Sequence, residues 1–228
     1  MHCIDDPTRP QLTYYGFDSV TEFIEREIRG FLTGYHRDRQ KDQPRHIEIF
    51  AEKNTVYSLL TKTAKEYYVP ISAGRGFCSV PVWRDIAGRF RKSGKEAMTL
   101  IIVSDYDPEG LELADDAIRS LRDLWDLPVE GHRVGVTPEQ IAELGLAEDF
   151  NPAKVTSKQF NKFVERTGDS RTWELEALHP NYLIDQVKAA IEANMNMEIF
   201  NRVVEQEQED ATHLWQTKQT IAGQMRLK

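Results

Sequence analysis

Two aspartates, separated by one residue, stand where an apolar run of the sequence gives way to a helical pattern. Residues 100–103 are continuously apolar, as is typical of a parallel strand covered on both faces. Asp105 and Asp107 follow, and Pro108 comes next, where proline suits the first turn of a helix and Asp107 its N-cap. Residues two apart on an extended segment project from the same side, so the two carboxylates can converge on one point.

The chemistry that this pair favours is the binding of a hard divalent cation. Two neighbouring anions repel each other unless a cation or a proton compensates. Mg²⁺ accepts one or two carboxylates and keeps its other positions for water and substrate phosphate. A capped turn is the alternative, in which Asp107 caps the helix, Asp105 is solvated and nothing binds. The two aspartates by themselves leave both interpretations open.

A second acidic element precedes this one in the chain. Residues 46–51 alternate in the manner of a strand that ends at Glu52, and Asn54 or Thr55 is predicted to cap the helix that follows. If both strands belong to one parallel sheet, Glu52 lies at the same carboxyl edge as the two aspartates. Ligands of open α/β sheets bind at that edge. The sequence therefore predicts three carboxylates in one cleft.

These motifs, in this order, resemble a Toprim domain. The motifs are Glu52-Lys53 after a first strand, the glycine-rich residues 72–79, and SDYDPEG at residues 104–110 after a later strand. The likeness is greatest to the Toprim domain of type IIB DNA topoisomerase (topoisomerase VI) A subunits and of the related meiotic double-strand-break protein. It covers residues 46–136, and more weakly extends to 195. The resemblance implies an α/β fold with a Rossmann-like, mainly parallel four-stranded sheet flanked by helices, and helical additions at both ends.

The resemblance also implies which residues act. Glu52, Asp105 and Asp107 would bind Mg²⁺, which Mn²⁺ could replace, against the scissile DNA phosphate, and Glu52 could also serve as a catalytic acid or base. Glu109 and Glu176 are further carboxylates that could support these ligands or bind a second metal. The family's nucleophile is a tyrosine on a winged-helix domain ahead of the Toprim domain, and the segment before residue 46 is too short for one. We therefore expect the tyrosine outside this chain and expect Tyr14 and Tyr15 to pack rather than react.

Charge and composition set limits on the partners. The formal net charge of −8 argues mildly against a general nucleic-acid binder, although residues 84–95 contain five basic residues and one acid. The DNA-phosphate contacts expected beside the cleft are Lys53, Arg75, Arg84 and Arg89. The resemblance adds an ATPase B-type subunit as a partner, and a homodimer is a further expectation. No apolar run is long enough to cross a membrane, and two cysteines without metal-ligand spacing predict a reducing, cytoplasmic setting.

The predicted organisation has three parts. Residues 1–45 form an N-terminal arm and helix, residues 46–145 the Toprim core, and residues 146–228 a mostly helical extension that packs on the core or continues it. Further strands are expected at residues 67–72 and 128–136, and a helix at residues 181–194.

Three functions follow as hypotheses. The first is the Mg²⁺-binding module of a type IIB topoisomerase-like A subunit, which supports cleavage and religation of DNA by transesterification. The second is a Toprim-type nuclease that hydrolyses DNA with water. The third is a non-catalytic module for DNA binding or dimerisation.

Overall fold

The chain alternates strands and helices through its central part. The computed structural model describes residues 16–74 and 80–226, with side chains as far as residue 224. Its helices and strands are α1 (Val20–Gly30), β1 (His46–Ala51), α2 (Asn54–Tyr67), β2 (Ile71–Ala73), α3 (Val80–Ser93), β3 (Met98–Val103), α4 (Pro108–Trp125), β4 (Val129–Val134), α5 (Pro138–Glu143), β5 (Asn151–Pro152), α6 (Phe160–Thr167), β6 (Arg171–Thr172), α7 (Pro180–Asn194) and α8 (Met197–Arg226). Short 3₁₀ helices cover Leu146–Glu148 and Leu175–Ala177. No helix in these ranges is both long and apolar enough to cross a membrane.

A four-stranded parallel sheet forms the centre of the fold. Its strand order is β2-β1-β3-β4, and every neighbouring pair is parallel. The predicted α/β class, with a mainly parallel four-stranded sheet flanked by helices, is confirmed, and it is consistent with a Rossmann-like, Toprim-type fold. β1 lies directly beside β3, with Ala51 opposite Val103, so the two strands end side by side.

Helices cover both faces of this sheet, which explains why β1 and β3 are buried along their whole length. Alternate residues of the two strands face opposite sides, as the pleat requires. One face packs against α2, α7 and the segment between α5 and α7, and the other packs against α3 and α4. The alternating pattern of residues 46–51 thus marks two buried faces rather than one buried and one exposed face.

The chain divides into two compact units whose limits differ from the three expected parts. One unit spans residues 38–204, and the other combines the described residues up to Arg37 with those from Glu205 onward. Phe163, Trp173 and Leu183 belong to the same buried cluster as Ile49 and Ile101, so the segment after residue 145 continues the core, which is one of the two arrangements expected for it. The segment from 146 to 204 is therefore part of the sheet's own unit.

Two local expectations around α2 are wrong. The strand expected at residues 67–72 is confined to Ile71–Ala73, because α2 continues through Tyr67 and ends with Tyr68 in the left-handed conformation at φ 58°. The predicted cap at Asn54 or Thr55 is replaced by Lys53, whose side chain makes no capping hydrogen bond. Extended backbone at Lys53 (φ −114°, ψ 144°) places the helix start one residue earlier than expected.

A buried ion pair joins β1 to α3. The Glu48 side chain has no solvent exposure, and Arg89 donates to both of its oxygens, with Nε···Oε1 at 3.0 Å and Nη2···Oε2 at 2.8 Å. Arg89 also donates to the Ser72 hydroxyl, and His46 Nε2 lies 2.7 Å from Glu48 Oε1. Because the carboxylate is fully desolvated, its charge depends on this guanidinium.

Replacing Arg89 with methionine should therefore destabilise the protein strongly. The change leaves the Glu48 charge buried without its main partner, and we expect a loss of about 3 kcal/mol in the free energy of unfolding. Urea denaturation measures it, with Arg84→Met as the matched control because Arg84 is exposed and pairs with its exposed neighbour Asp85. The double variant Glu48→Met/Arg89→Met should recover much of the loss, and equal stability of the two single arginine variants would contradict the structural role.

Candidate metal centre

The carboxyl ends of β1 and β3 bring two of the predicted acids into contact. The backbone N–H of Glu52 donates to Val103 O at 2.9 Å, so the pairing of the two strands continues one residue past β1. The Glu52 carboxylate then accepts a hydrogen bond from the backbone N–H of Asp105, with N···Oε2 at 3.0 Å. The prediction that these acids meet at one edge of one parallel sheet is confirmed.

Asp105 is the most enclosed of the three acids. Its side chain is 6% exposed. Oδ1 accepts a hydrogen bond from the backbone N–H of Leu175 at 2.8 Å, and Oδ2 lies 2.9 Å from Lys53 Nζ. Asp105 is therefore not the solvated residue of a plain capped turn, because each of its oxygens has a protein partner.

Asp107 caps α4, as the sequence predicts. Its Oδ1 accepts a hydrogen bond from Gly110 N at 2.6 Å, and Pro108 occupies the first turn. Gly110 is required here, since a Cβ at that position would lie 2.4 Å from the backbone oxygen of Asp105. The first turn of α4 thus packs directly on the loop that carries Asp105, and this holds the two aspartates close together.

Burial and mutual repulsion disfavour the charged forms of these acids. Burial raises the pKa of Glu52 to about 7, and the charges of Asp105 and Asp107 add to the effect, while the hydrogen bond from Asp105 N and the charge of Lys53 oppose it. Burial likewise raises the pKa of Asp107, with further contributions from Asp105 and Glu109. The cluster holds more negative charge than its own hydrogen bonds compensate.

One ammonium group compensates part of this charge. Lys53 Nζ lies 2.9 Å from Asp105 Oδ2, 2.9 Å from Glu176 Oε2 and 3.6 Å from Glu174 Oε2. Burial disfavours the charged lysine, but the hydrogen bonds with Glu176 and Asp105 outweigh it and raise the pKa of Lys53. Glu176, expected as a supporting carboxylate, lies at the rim and binds this lysine, and Glu174 joins it without having been predicted.

A second cation, Arg133, supports the same loop from within. Its guanidinium donates from Nη2 to the backbone oxygens of Ser104 (2.9 Å) and Asp105 (2.8 Å), from Nε to the Ser104 hydroxyl, and from Nη1 to Val136 O. Burial lowers the pKa of Arg133 to about 10, while the charges of Tyr106, Asp105 and Glu52 oppose that effect. The role of Arg133 was not predicted from the sequence, in which it is simply an arginine late in the predicted strand 128–136.

The donor set suits a hard divalent cation, although the side chains are not arranged as a finished ligand cluster. No group of three or more His, Cys, Asp or Glu side chains in the described ranges meets the geometry of a metal site. The reason is visible at Asp105, whose oxygens are directed to Lys53 and Leu175 N. Carboxylate oxygens at one sheet edge, with two pKa values raised by crowding and burial, are nevertheless the ligands that Mg²⁺ prefers. Glu52, Asp105 and Asp107 have the ligand type that such an ion takes, but in the described arrangement Asp105 is occupied by Lys53 and Leu175 N and the three do not form a ligand cluster.

The expected DNA-contact residues have different surroundings. Lys53 lies within the carboxylate cluster, and Arg89 is held by Glu48 and Ser72. Arg84 is exposed and paired with Asp85 on α3, and Arg75 lies outside the described residues. Glu109 is half-buried in the first turn of α4, where its charge acts on Asp107. The roles assigned to these residues on DNA or a second metal stay predictions.

The raised pKa of Glu52 predicts a pH-dependent stability. Because the folded pKa of about 7 exceeds the ordinary value of 4.5, the folded protein binds the proton more tightly than the unfolded chain. The stabilising contribution is complete below pH 4.5 and is lost as the pH rises through about 7, with a total of up to about 3 kcal/mol. Glu52→Gln should lack this component, so the wild-type stability should fall relative to the variant over that interval.

Chemical denaturation at several pH values measures the difference, and ¹³C NMR of the Glu52 carboxyl gives its midpoint directly. A midpoint near 4.5, or identical pH profiles for the two proteins, would contradict the environment described for Glu52.

Comparison with known proteins adds no relative. No protein-family model, no curated protein and no solved structure matches the chain. The fold assignment therefore rests on the parallel sheet, and the candidate site rests on the contacts of Glu52, Lys53 and Asp105.

Proposed function

We propose that this chain is a Toprim-type module that binds Mg²⁺ and acts on DNA phosphodiesters, as the metal-binding part of a type IIB topoisomerase-like A subunit. The observation that carries the proposal is the hydrogen bond from Asp105 N to the Glu52 carboxylate. It joins acids that are 53 positions apart in the chain at the edge of an α/β sheet where ligands bind. A capped turn without a ligand explains Asp107 but gives no reason for a half-buried glutamate to face two aspartates.

The roles of the residues follow from their contacts. Glu52, Asp105 and Asp107 would hold the cation, which when bound stabilises negative charge on the transferring phosphoryl group and on the leaving oxygen. Arg133 and the backbone N–H of Leu175 fix the loop that presents Asp105. When no cation is bound, burial and the neighbouring carboxylates raise the pKa of Glu52 to about 7. A cation bound directly to Glu52 would lower that pKa, so Glu52 would act as an acid or base only where it does not contact the ion.

A phosphate group would meet favourable backbone at the same edge. α2 begins directly after Lys53, its N-cap residue, and the Lys53 side chain makes no capping hydrogen bond to the first backbone N–H groups of that helix. Helix N-termini of this kind favour anions. This feature supports a phosphate near Glu52 and adds no independent site.

The tyrosine nearest to these acids in the sequence is poorly placed to be the nucleophile. Tyr106 stands between the two aspartates in sequence, but it is 8% exposed and packs against Phe163 and Trp173. Burial raises the pKa of Tyr106, which opposes its activation. We propose that the attacking tyrosine belongs to a winged-helix domain or partner, with an ATPase B-type subunit and a second copy of the chain as further components of the assembly.

Hydrolysis is the second candidate. If Asp105 and Asp107 held the cation and Glu52 did not contact it, the Glu52 carboxylate, with a pKa of about 7, would be available as a general base toward water at neutral pH. The Toprim-type nuclease would use the same three acids and would need no tyrosine.

Binding of Mn²⁺, followed by electron paramagnetic resonance of the full chain, tests the metal centre without DNA. Asp105→Asn and Asp107→Asn should each weaken binding at least about tenfold, since each removes a ligand charge. Asp185→Asn is the matched control, because Asp185 is an exposed aspartate on α7. Equal affinities of all four proteins would reject the centre and would favour a non-catalytic module.

Supercoiled plasmid separates the two reactions. With Mg²⁺ or Mn²⁺, the nuclease produces nicks with free ends, and Asp105→Asn abolishes them. The topoisomerase-like module alone leaves the plasmid intact and gives protein-linked ends only when a chain carrying the tyrosine is added.

A further inference from the structure

The Lys53 ammonium lies between the buried part of the carboxylate cluster and its exposed rim. It lies 2.9 Å from Asp105 Oδ2 on one side, and 2.9 Å from Glu176 Oε2 and 3.6 Å from Glu174 Oε2 on the other. Asp105 is almost fully buried, whereas the side chains of Glu174 and Glu176 are 60% and 54% exposed. One cation therefore links an enclosed carboxylate to two solvated ones.

The oxygen that Lys53 holds is the one that a metal ion would need. Asp105 Oδ1 is committed to the backbone N–H of Leu175 at 2.8 Å. That N–H belongs to a segment fixed by main-chain hydrogen bonds in both directions between Tyr106 and Trp173. Oδ2 is thus the oxygen of Asp105 that can change partners, and its present partner is an ammonium ion.

The acceptors for a displaced ammonium are already in place. The segment that positions Leu175 N against Asp105 also carries Glu174 and Glu176, whose carboxylates lie 3.6 Å and 2.9 Å from Lys53 Nζ. Lys53 has a flexible four-carbon stem, and its side chain is 28% exposed. A small rotation of this stem away from Asp105 keeps the ammonium paired with Glu176 and Glu174.

We propose that Lys53 is an internal competitor of the divalent cation for Asp105. The ammonium holds Asp105 Oδ2 when no metal ion is bound, and it transfers to Glu176 and Glu174 when a divalent cation takes that oxygen. This inference rests on the proposed metal centre and concerns how the centre is controlled. It assigns Lys53 to neutralisation of the ligands, and it assigns Glu174 and Glu176 to the lysine rather than to the metal.

The first test compares Mn²⁺ affinity of the full chain with that of Lys53→Met, followed by electron paramagnetic resonance. Removing the competitor should tighten binding about threefold to tenfold. Lys62→Met is the matched control, since Lys62 is an exposed lysine of the same helix α2 and should leave the affinity unchanged. Lys53→Gln provides a second neutral variant, and thermal unfolding shows that each protein is folded.

A double-mutant cycle separates competition from simple charge repulsion. If Glu176 acts through Lys53, Glu176→Gln should weaken Mn²⁺ binding about threefold in the wild-type chain and have little effect in Lys53→Met. If Glu176 were a metal ligand, or if Lys53 merely repelled the ion, the effect of Glu176→Gln would be the same in both backgrounds.

The outcomes distinguish the inference from the function on which it rests. Measurable binding by the wild type, with equal or weaker binding by both Lys53 variants, overturns the competition and leaves the metal centre standing. An additive cycle also overturns it. Absence of Mn²⁺ binding in every protein up to millimolar concentration overturns the metal centre and the competition together.

Discussion

The pairing of β1 with β3 is the constraint on which the site depends. Because Ala51 lies opposite Val103, the residues that follow these strands must leave the sheet side by side. The chain places Glu52 on one and Asp105 and Asp107 after the other, and the hydrogen bond from Asp105 N to Glu52 joins them. Carboxylates this close together repel each other in a partly desolvated setting, which costs free energy. The hydrogen bonds and ion pairs around them offset part of that cost.

These hydrogen bonds and ion pairs use backbone and side chains from four parts of the chain. Leu175 N and Gly110 N each donate to one aspartate, Lys53 supplies a positive charge at the carboxylates, and Arg133 supplies one behind the loop. The two cations differ in what they contact. Arg133 binds carbonyl and hydroxyl oxygens and therefore shapes the loop, whereas Lys53 binds carboxylates and therefore sets their net charge.

Local sequence signals predicted the parts of the fold that are locally determined. The apolar runs, the Asp107-Pro108 helix start and the terminal position of Glu52 were sufficient for the α/β class and for the meeting of the acids at one edge. They failed where long-range packing decides, as in the length of α2 and the late start of β2. Arg89, Lys53 and Arg133 show the same limit, because a basic residue in a sequence does not reveal which buried oxygens will surround it. The link between Trp173 and Tyr106 likewise joins segments 67 positions apart, beyond any local pattern.

The pairing of Trp173 with Tyr106 limits how far the domain can be shortened. Trp173 exchanges two main-chain hydrogen bonds with Tyr106, and the N–H of Leu175 donates to Asp105. Both residues lie well past the last strand of the sheet in the chain. A shortened protein ending after β4 would retain all three acids and all four strands, yet Asp105 would face water where it now meets an amide. A piece able to reproduce the chemistry of this edge must therefore include Leu175 and also α7, which covers one face of the sheet. Insertions between residues 146 and 170 are tolerated only if they preserve that return to the sheet.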